Sequence, residues 1–245
     1  MPFTFSHAVV AFPLKKKFFK YFSLLGLILG SMGPDFLYFI NLKPSGHYGH
    51  TFFGFIILNI PLCLLINYIF IKNIRDSLIA HLPERIQVYF CNCYKEKTDY
   101  SLKGMIIFCY SALLGMITHV FWDSFTHKSG YFVDKFSFFQ QSLHILNYNI
   151  PVYKILQHGS TIIGAVIIVT YILKGFFKNN FISTNISIPK LRKSEKVIYF
   201  LKTVLIMILF MLVIYLIGNL NSIGGLVVCS INGLFIGLYI SSLTK

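Results

Sequence analysis

The segment THVFWDSFTH sets His119 and Asp123 four residues apart, with His127 a further four along. On a helix, residues at that spacing stack along one face. An imidazole and a carboxylate one turn apart form a half-site for Zn²⁺ or another divalent metal, whose ligands sit at about 2 Å. Two more residues could complete such a site from neighbouring helices: Asp35 in GSMGPDFLYF and His50 in GHTFFG. Helical bundles build metal centres in this way, from His and carboxylate side chains projecting inward. A metal with an open position can activate water and polarise a phosphate or carbonyl oxygen. On this reading His50, His119, Asp35 and Asp123 are ligands or metal-orienting groups, and either Asp35 or Asp123 could instead be the general base. The plain alternative is that His119 and Asp123 form a hydrogen-bonded pair within one helix, and that Asp35, after Pro34, caps the next backbone amides.

The elements that must position these residues follow from composition. The chain has 245 residues, of which 56% are hydrophobic, 17% aromatic and only 12% charged. An average soluble domain has about 25% charged residues. A chain this apolar cannot cover its exterior with polar groups, so lipid is the expected solvent. Apolar stretches near the length needed to cross hydrocarbon, about 20 residues, occur at 21–40, 51–71, 104–123, 153–173, 198–217 and 223–243. The expected fold is therefore all-α, a polytopic helical membrane bundle of about six transmembrane helices plus a short N-terminal apolar helix.

The net charge of +14 first suggests a nucleic-acid partner, but its distribution excludes one: no single basic face is visible. Lys and Arg instead alternate between rich and poor gaps. Lys15, Lys16, Lys17 and Lys20 come first, then Lys43 alone, then Lys72, Arg75, Arg85, Lys95, Lys97 and Lys103. Lys128 and Lys135 follow in a poor gap, and Lys174, Lys178, Lys190, Arg192, Lys193 and Lys196 in a rich one. This is the positive-inside rhythm of a chain that crosses a membrane repeatedly, with both termini cytoplasmic. The bilayer is then the expected partner. Asp35 and Asp123, two of eight acidic residues, close spans on the non-cytoplasmic side, where His47, His50, His119, His127, His144 and His158 also fall. Ionisable groups at membrane depth cost about 2.5–3.5 kcal/mol on insertion scales, so their convergence is the main functional signal. His47, His127, His144 and His158 are read as loop or interface histidines, and His81 as solvated.

Three organisational expectations follow: a membrane domain over 1–173, a basic cytoplasmic linker over 174–197, and a C-terminal transmembrane hairpin over 198–245. The stretch IRDSLIAHLPERIQVYF reads as a short amphipathic helix along the headgroups, and 124–152 as a long loop whose aromatics form an interfacial belt. Gly26–Gly30 and Gly233–Gly237 have small-xxx-small spacing, a pattern common by chance. Cys63, Cys91, Cys93, Cys109 and Cys229 fit no disulfide framework or zinc pair and are read as structural. The opening MPFTFSHAVVAFPL is not read as a signal peptide, since its basic cluster follows the apolar run.

The motifs MPFTFSHAVVAFPL, GSMGPDFLYF, GHTFFG, LLGMITHVFWDSFTH and VYKILQHGSTIIG, in that order, resemble a bacterial membrane-protein family of unknown function, the DUF 4184 family. The resemblance runs from the N-terminus to about residue 173 and implies the bacterial cytoplasmic (inner) membrane. More loosely, an early His, a Pro-Asp at a helix end, a His-Thr and His-x-x-x-Asp-x-x-Thr resemble inner-membrane metal-dependent hydrolases. That second resemblance implies a metal set of His7, Asp35, His50, His119 and Asp123. His7 precedes the cytoplasmic lysines, so it joins the others only if residues 3–14 form a helix entering the membrane, about 18 Å long. The resulting expectation is a metal-dependent hydrolase, with zinc the expected metal, acting on a lipid-borne or periplasmic ester or phosphoester at the outer face. Two alternatives stand beside it: a transporter-like protein that relays protons or cations, and a non-catalytic membrane scaffold.

Overall fold

The structure is a computed structural model that describes residues 4–18, 20–93, 100–178, 191–218, 220 and 222–244. It is helical almost throughout. Among the described residues, five helices are long and apolar enough to cross a membrane: Phe52–His81, Leu102–Lys135, Val152–Lys174, Lys193–Leu216 and Ile223–Leu243. The first expected span is a shorter apolar helix, Leu24–Ile40. Its α-helical hydrogen bonding gives way to a 3-10 turn at Gly33–Asp35, because Pro34 lacks an N–H and restricts the residue before it. The Phe52–His81 stretch widens into π-helical turns at Phe55–Asn59 and Phe70–Ile74. The first lies just before Pro61, where a wider turn moves the carbonyl that the proline ring would otherwise strike.

By its internal contacts the chain forms two compact units. One comprises Met1–Pro34, Tyr48–Cys63 and Asp99–Ile172. At its centre the Leu24–Met32 helix packs on the Leu102–Thr126 helix through small residues on both. A Cβ on Gly26 would stand 2.8 Å from the Phe108 carbonyl oxygen, one on Gly30 would strike Ala112 backbone, and one on Gly115 would stand 2.6 Å from the Leu27 oxygen. The Gly26–Gly30 spacing is thus a packing seam. A 3-10 helix, Thr4–Val10, continues as Ala11–Lys17, and Lys15 Nζ bonds the Phe22 carbonyl at 3.0 Å. The Ser6 hydroxyl ties this N-terminal segment to the Thr161 carbonyl at 3.0 Å.

The second unit comprises Asp35–His47, Leu64–Thr98 and Leu173–Lys245. Here Lys193–Leu216 and Ile223–Leu243 form a helical hairpin whose seam is Gly233 and Gly237. A Cβ on Gly237 would lie 2.5 Å from the Thr203 oxygen, and one on Gly233 3.1 Å from Met207. Thr203 Oγ1 also bonds Ser241 Oγ at 3.1 Å, and Asn232 Nδ2 bonds the Phe39 carbonyl at 2.7 Å.

Three segments depart from the sequence expectations. The single amphipathic helix expected around 74–90 is two helices, Arg75–His81 and Glu84–Cys93, because Pro83 ends the first. The loop over 124–152 carries two short helices, Tyr131–Lys135 and Ser137–Gln140, and an antiparallel hairpin pairing Ser142–Ile145 with Tyr148–Pro151. Leu146, at φ 55, turns that hairpin. Of the expected basic linker, residues 179–190 lie outside the described residues, as do Lys95 and Lys97 of the earlier basic gap.

Candidate metal centre

The Leu102–Thr126 helix starts at Ser101, whose hydroxyl accepts from the Gly104 amide at 3.2 Å. His119 lies about 26 Å along it from Leu102, near the opposite end of the span. The glycine and alanine seam brings its ring against the preceding helix, where Nδ1 donates to the Ser31 carbonyl at 2.7 Å. A carbonyl can only accept, so the proton of the neutral ring is on Nδ1 and the lone pair on Nε2. That Nε2 stands 3.2 Å from Asp123 Oδ2. A ring oriented by an Nδ1–H···O=C bond with its other nitrogen presented inward is the usual arrangement of a metal-ligating histidine.

Three further imidazoles surround the same carboxylate. His7, on the Thr4–Val10 helix, stacks on His119 with ring centroids 4.0 Å apart and points Nε2 at Asp123 Oδ1 from 3.5 Å. His50 ends the Tyr48–His50 turn, with its Nε2 3.8 Å from Asp123 Oδ2 and its ring edge-on to His119. His127 caps the C-terminus of the helix and places Nδ1 3.4 Å from Asp123 Oδ1.

The motif GHTFFG shows how the His50 turn is held. Thr51 Oγ1 donates to the Tyr48 carbonyl at 2.8 Å and accepts from the Gly54 amide at 3.0 Å. A Cβ on Gly54 would strike the Tyr48 oxygen. Buried Asn59, in the π-turn below, donates to the Gly49 carbonyl at 2.7 Å.

All but His127 of this ring is nearly closed to solvent. Side-chain exposures are 1% for His119, 5% for His7, 14% for Asp123 and 16% for His50. Nε2 of His7 and Oδ1 of Asp123 are buried and make no hydrogen bond among the described residues. An ionised carboxylate with an unbonded oxygen is costly away from water unless a cation compensates it. Ligand atoms of His7, His119 and Asp123 all lie within 4.8 Å of one another, which suits ligands that each reach about 2 Å to one ion.

Asp35 begins the second unit and is buried. It stands at the N-cap of Phe36–Ile40, yet its side chain makes no capping hydrogen bond, so the capping alternative fails. His47, His144 and His158 are exposed, and His144 pairs with Asn149 Oδ1 at 3.0 Å across the hairpin. His127, expected as a loop histidine, is part of the ring around Asp123 because the helix persists to Thr126. His81, expected to be solvated, is half-buried and stacks on Tyr199 at 4.1 Å. Sequence reasoning missed Gln157, which is buried with Nε2 3.3 Å from His127 Nε2. Its only signal was its place in VYKILQHGSTIIG. The Phe-rich segment packs inward in part, with Phe132 stacked on Phe125 at 4.1 Å. Cys63 and Cys229 are buried free thiols. Burial, then the charge of Asp76, pushes the Cys91 thiol above its ordinary range.

Fold and site together define a helical membrane protein with a buried carboxylate ringed by imidazoles. More particularly, the chain belongs to the family described as a domain of unknown function (DUF4184), whose profile matches residues 1–243. The match continues beyond residue 173, where the sequence resemblance was expected to end, and takes in the C-terminal hairpin. Neither a curated protein nor a solved structure matches the chain.

Proposed function

We propose that the cluster is a divalent-metal centre and the protein a membrane-embedded hydrolase of an ester or phosphoester. The observation that supports this best is the convergence of His7, His119 and Asp123 ligand atoms within 4.8 Å, from helices far apart in the chain. In this reading His7, His50 and His119 hold the ion with Asp123. A bound divalent ion supplies Lewis-acid polarisation of the scissile group's oxygen. His127 is the natural proton carrier, since it is the most exposed imidazole of the four, at 30%, and is backed by Gln157. It would take the proton of the attacking water and return it to the leaving group. Asp35 keeps its sequence-based role as a ligand or base, and its Asn variant belongs in the same assays. Zinc is the proposed ion, because His and carboxylate oxygen suit it.

The proposed location is the bacterial inner membrane, with the cluster toward the outer face and both termini cytoplasmic. Asp123 closes a span ahead of the Lys-poor stretch 124–152, which supports that orientation. The His7 ring reaches the cluster from the cytoplasmic lysines because the N-terminal helical segment covers about 17 Å from Lys17 to His7.

The test is hydrolysis of chromogenic ester and phosphodiester substrates by detergent-purified protein loaded with Zn²⁺. Wild type should turn over at least one substrate class, and chelation or Asp123→Asn should remove the activity. No turnover above the Asp123→Asn background on any substrate would defeat the hydrolase reading.

A further inference from the structure

Beside the metal cluster, within the same unit, lies a cleft of about 460 Å³, inside the usual range of small-molecule sites, about 300–1,000 Å³. The Thr4–Val10 helix and the two long helices Leu102–Thr126 and Val152–Lys178 form its walls. Its surface is mainly apolar, with Val9, Val10, Phe121, Ile163 and Ile167 in the lining beside His7.

The hydroxyl and indole protons of the lining are already donated within the protein. Ser6 Oγ donates to the Thr161 carbonyl at 3.0 Å, Thr118 Oγ1 to the Gly115 carbonyl at 2.7 Å, and Ser160 Oγ to the Gln157 carbonyl at 3.1 Å. Trp122 Nε1 donates to Ser160 Oγ at 3.2 Å. His7 directs Nε2 toward Asp123 instead. A sugar, nucleotide or peptide would lose hydrogen bonds on entering such a cleft, whereas a hydrocarbon chain would lose none.

The flanks lie open on apolar, membrane-spanning helices. Phe121, Ile163 and Ile167 are exposed at 58%, 61% and 47%, and on such helices the surrounding medium is acyl chain.

We propose that this cleft seats one acyl chain of a bilayer lipid and presents that lipid's ester or phosphoester linkage to the cluster at His7. The chain-binding part stands on the cleft alone, while the identity of the scissile group rests on the hydrolase reading. Hydrolysis of such a linkage adds water across it, leaving the chain on one product and the released group on the other.

Trp122 is the protein's single tryptophan and lines the cleft, so its fluorescence reports occupancy. Detergent-purified full-length protein is titrated with a phosphatidylcholine brominated on one acyl chain, and metal content is read on the same samples. Wild type should show quenching that saturates near one lipid per chain. A Val9→Phe/Ile167→Phe variant, which fills the cleft away from the imidazoles, should lose the saturable part while keeping its thermal transition and its metal. Equal quenching in both proteins would overturn the acyl seat, because Trp122 would then be reached by surrounding lipid only. If the variant does not fold, Ile163→Phe alone is the second probe, with the same two outcomes. Saturable quenching in a protein that holds no metal would sink the hydrolase reading and leave the acyl seat standing.

Discussion

His119 and Ser31 are joined by a hydrogen bond of 2.7 Å between positions 88 residues apart in the chain. The bond fixes the ring's tautomer and aims its Nε2 at Asp123. It exists only because Gly30, Ala112 and Gly115 let two helix backbones approach. Site geometry and helix packing are therefore one property of this unit. A Gly115→Leu substitution should destabilise the protein by about 1–3 kcal/mol through overpacking and also lower its metal content. Thermal unfolding in detergent with metal analysis checks both. Lower stability with full metal content would uncouple them.

Gln157 supports His127 from the Val152–Lys178 helix, with Nε2 3.3 Å from the ring's Nε2. Replacing it with Leu should leave the fold intact and weaken metal binding or turnover by about 10–100-fold, the usual cost of losing an outer partner. Competition with a fluorescent chelator measures the affinity. An unchanged affinity and rate would make Gln157 a packing residue.

His7 both stacks on His119 and faces the carboxylate, and substitution can separate the two roles. His7→Phe preserves an aromatic ring on His119 while removing the nitrogen. The variant should melt close to wild type and bind metal more weakly than Gln157→Leu does. If it melts much lower with unaltered metal affinity, the stack is the purpose of His7.

In the second unit, Gly237 meets the Thr203 backbone. Gly237→Val should cost about 1–3 kcal/mol, read by thermal unfolding, while the folded protein keeps its full metal complement. Loss of metal from the folded fraction would contradict the proposal that His7, His119 and Asp123, all in the first unit, are the principal ligands.

The membrane character of the chain was legible because hydrocarbon imposes a length and composition on each span that no other structure needs. His119 and Asp123 were legible as a pair because four-residue spacing fixes their common face. His7 could be named only through resemblance. Nothing local in TFSHAVV shows that the segment turns back along Leu24–Met32 to reach a ring from residue 119. That His127 comes within 3.4 Å of Asp123 was less legible, because it depends on the helix persisting to Thr126, and helix ends are set by capping rather than by hydropathy. Gln157 was invisible because an amide on an apolar helix carries no periodic signal. The first span is shorter than expected because its helix starts only after Ser23, whose hydroxyl caps the Gly26 amide, while Pro34 tightens the run to a 3-10 turn without ending it.

The most direct test of the account is the metal content of detergent-purified wild type beside a His119→Ala/Asp123→Ala variant, by inductively coupled plasma mass spectrometry. Wild type should carry close to one divalent ion per chain, and the variant essentially none while remaining folded. Equally negligible metal in both proteins, after incubation with zinc and removal of the excess, would contradict it.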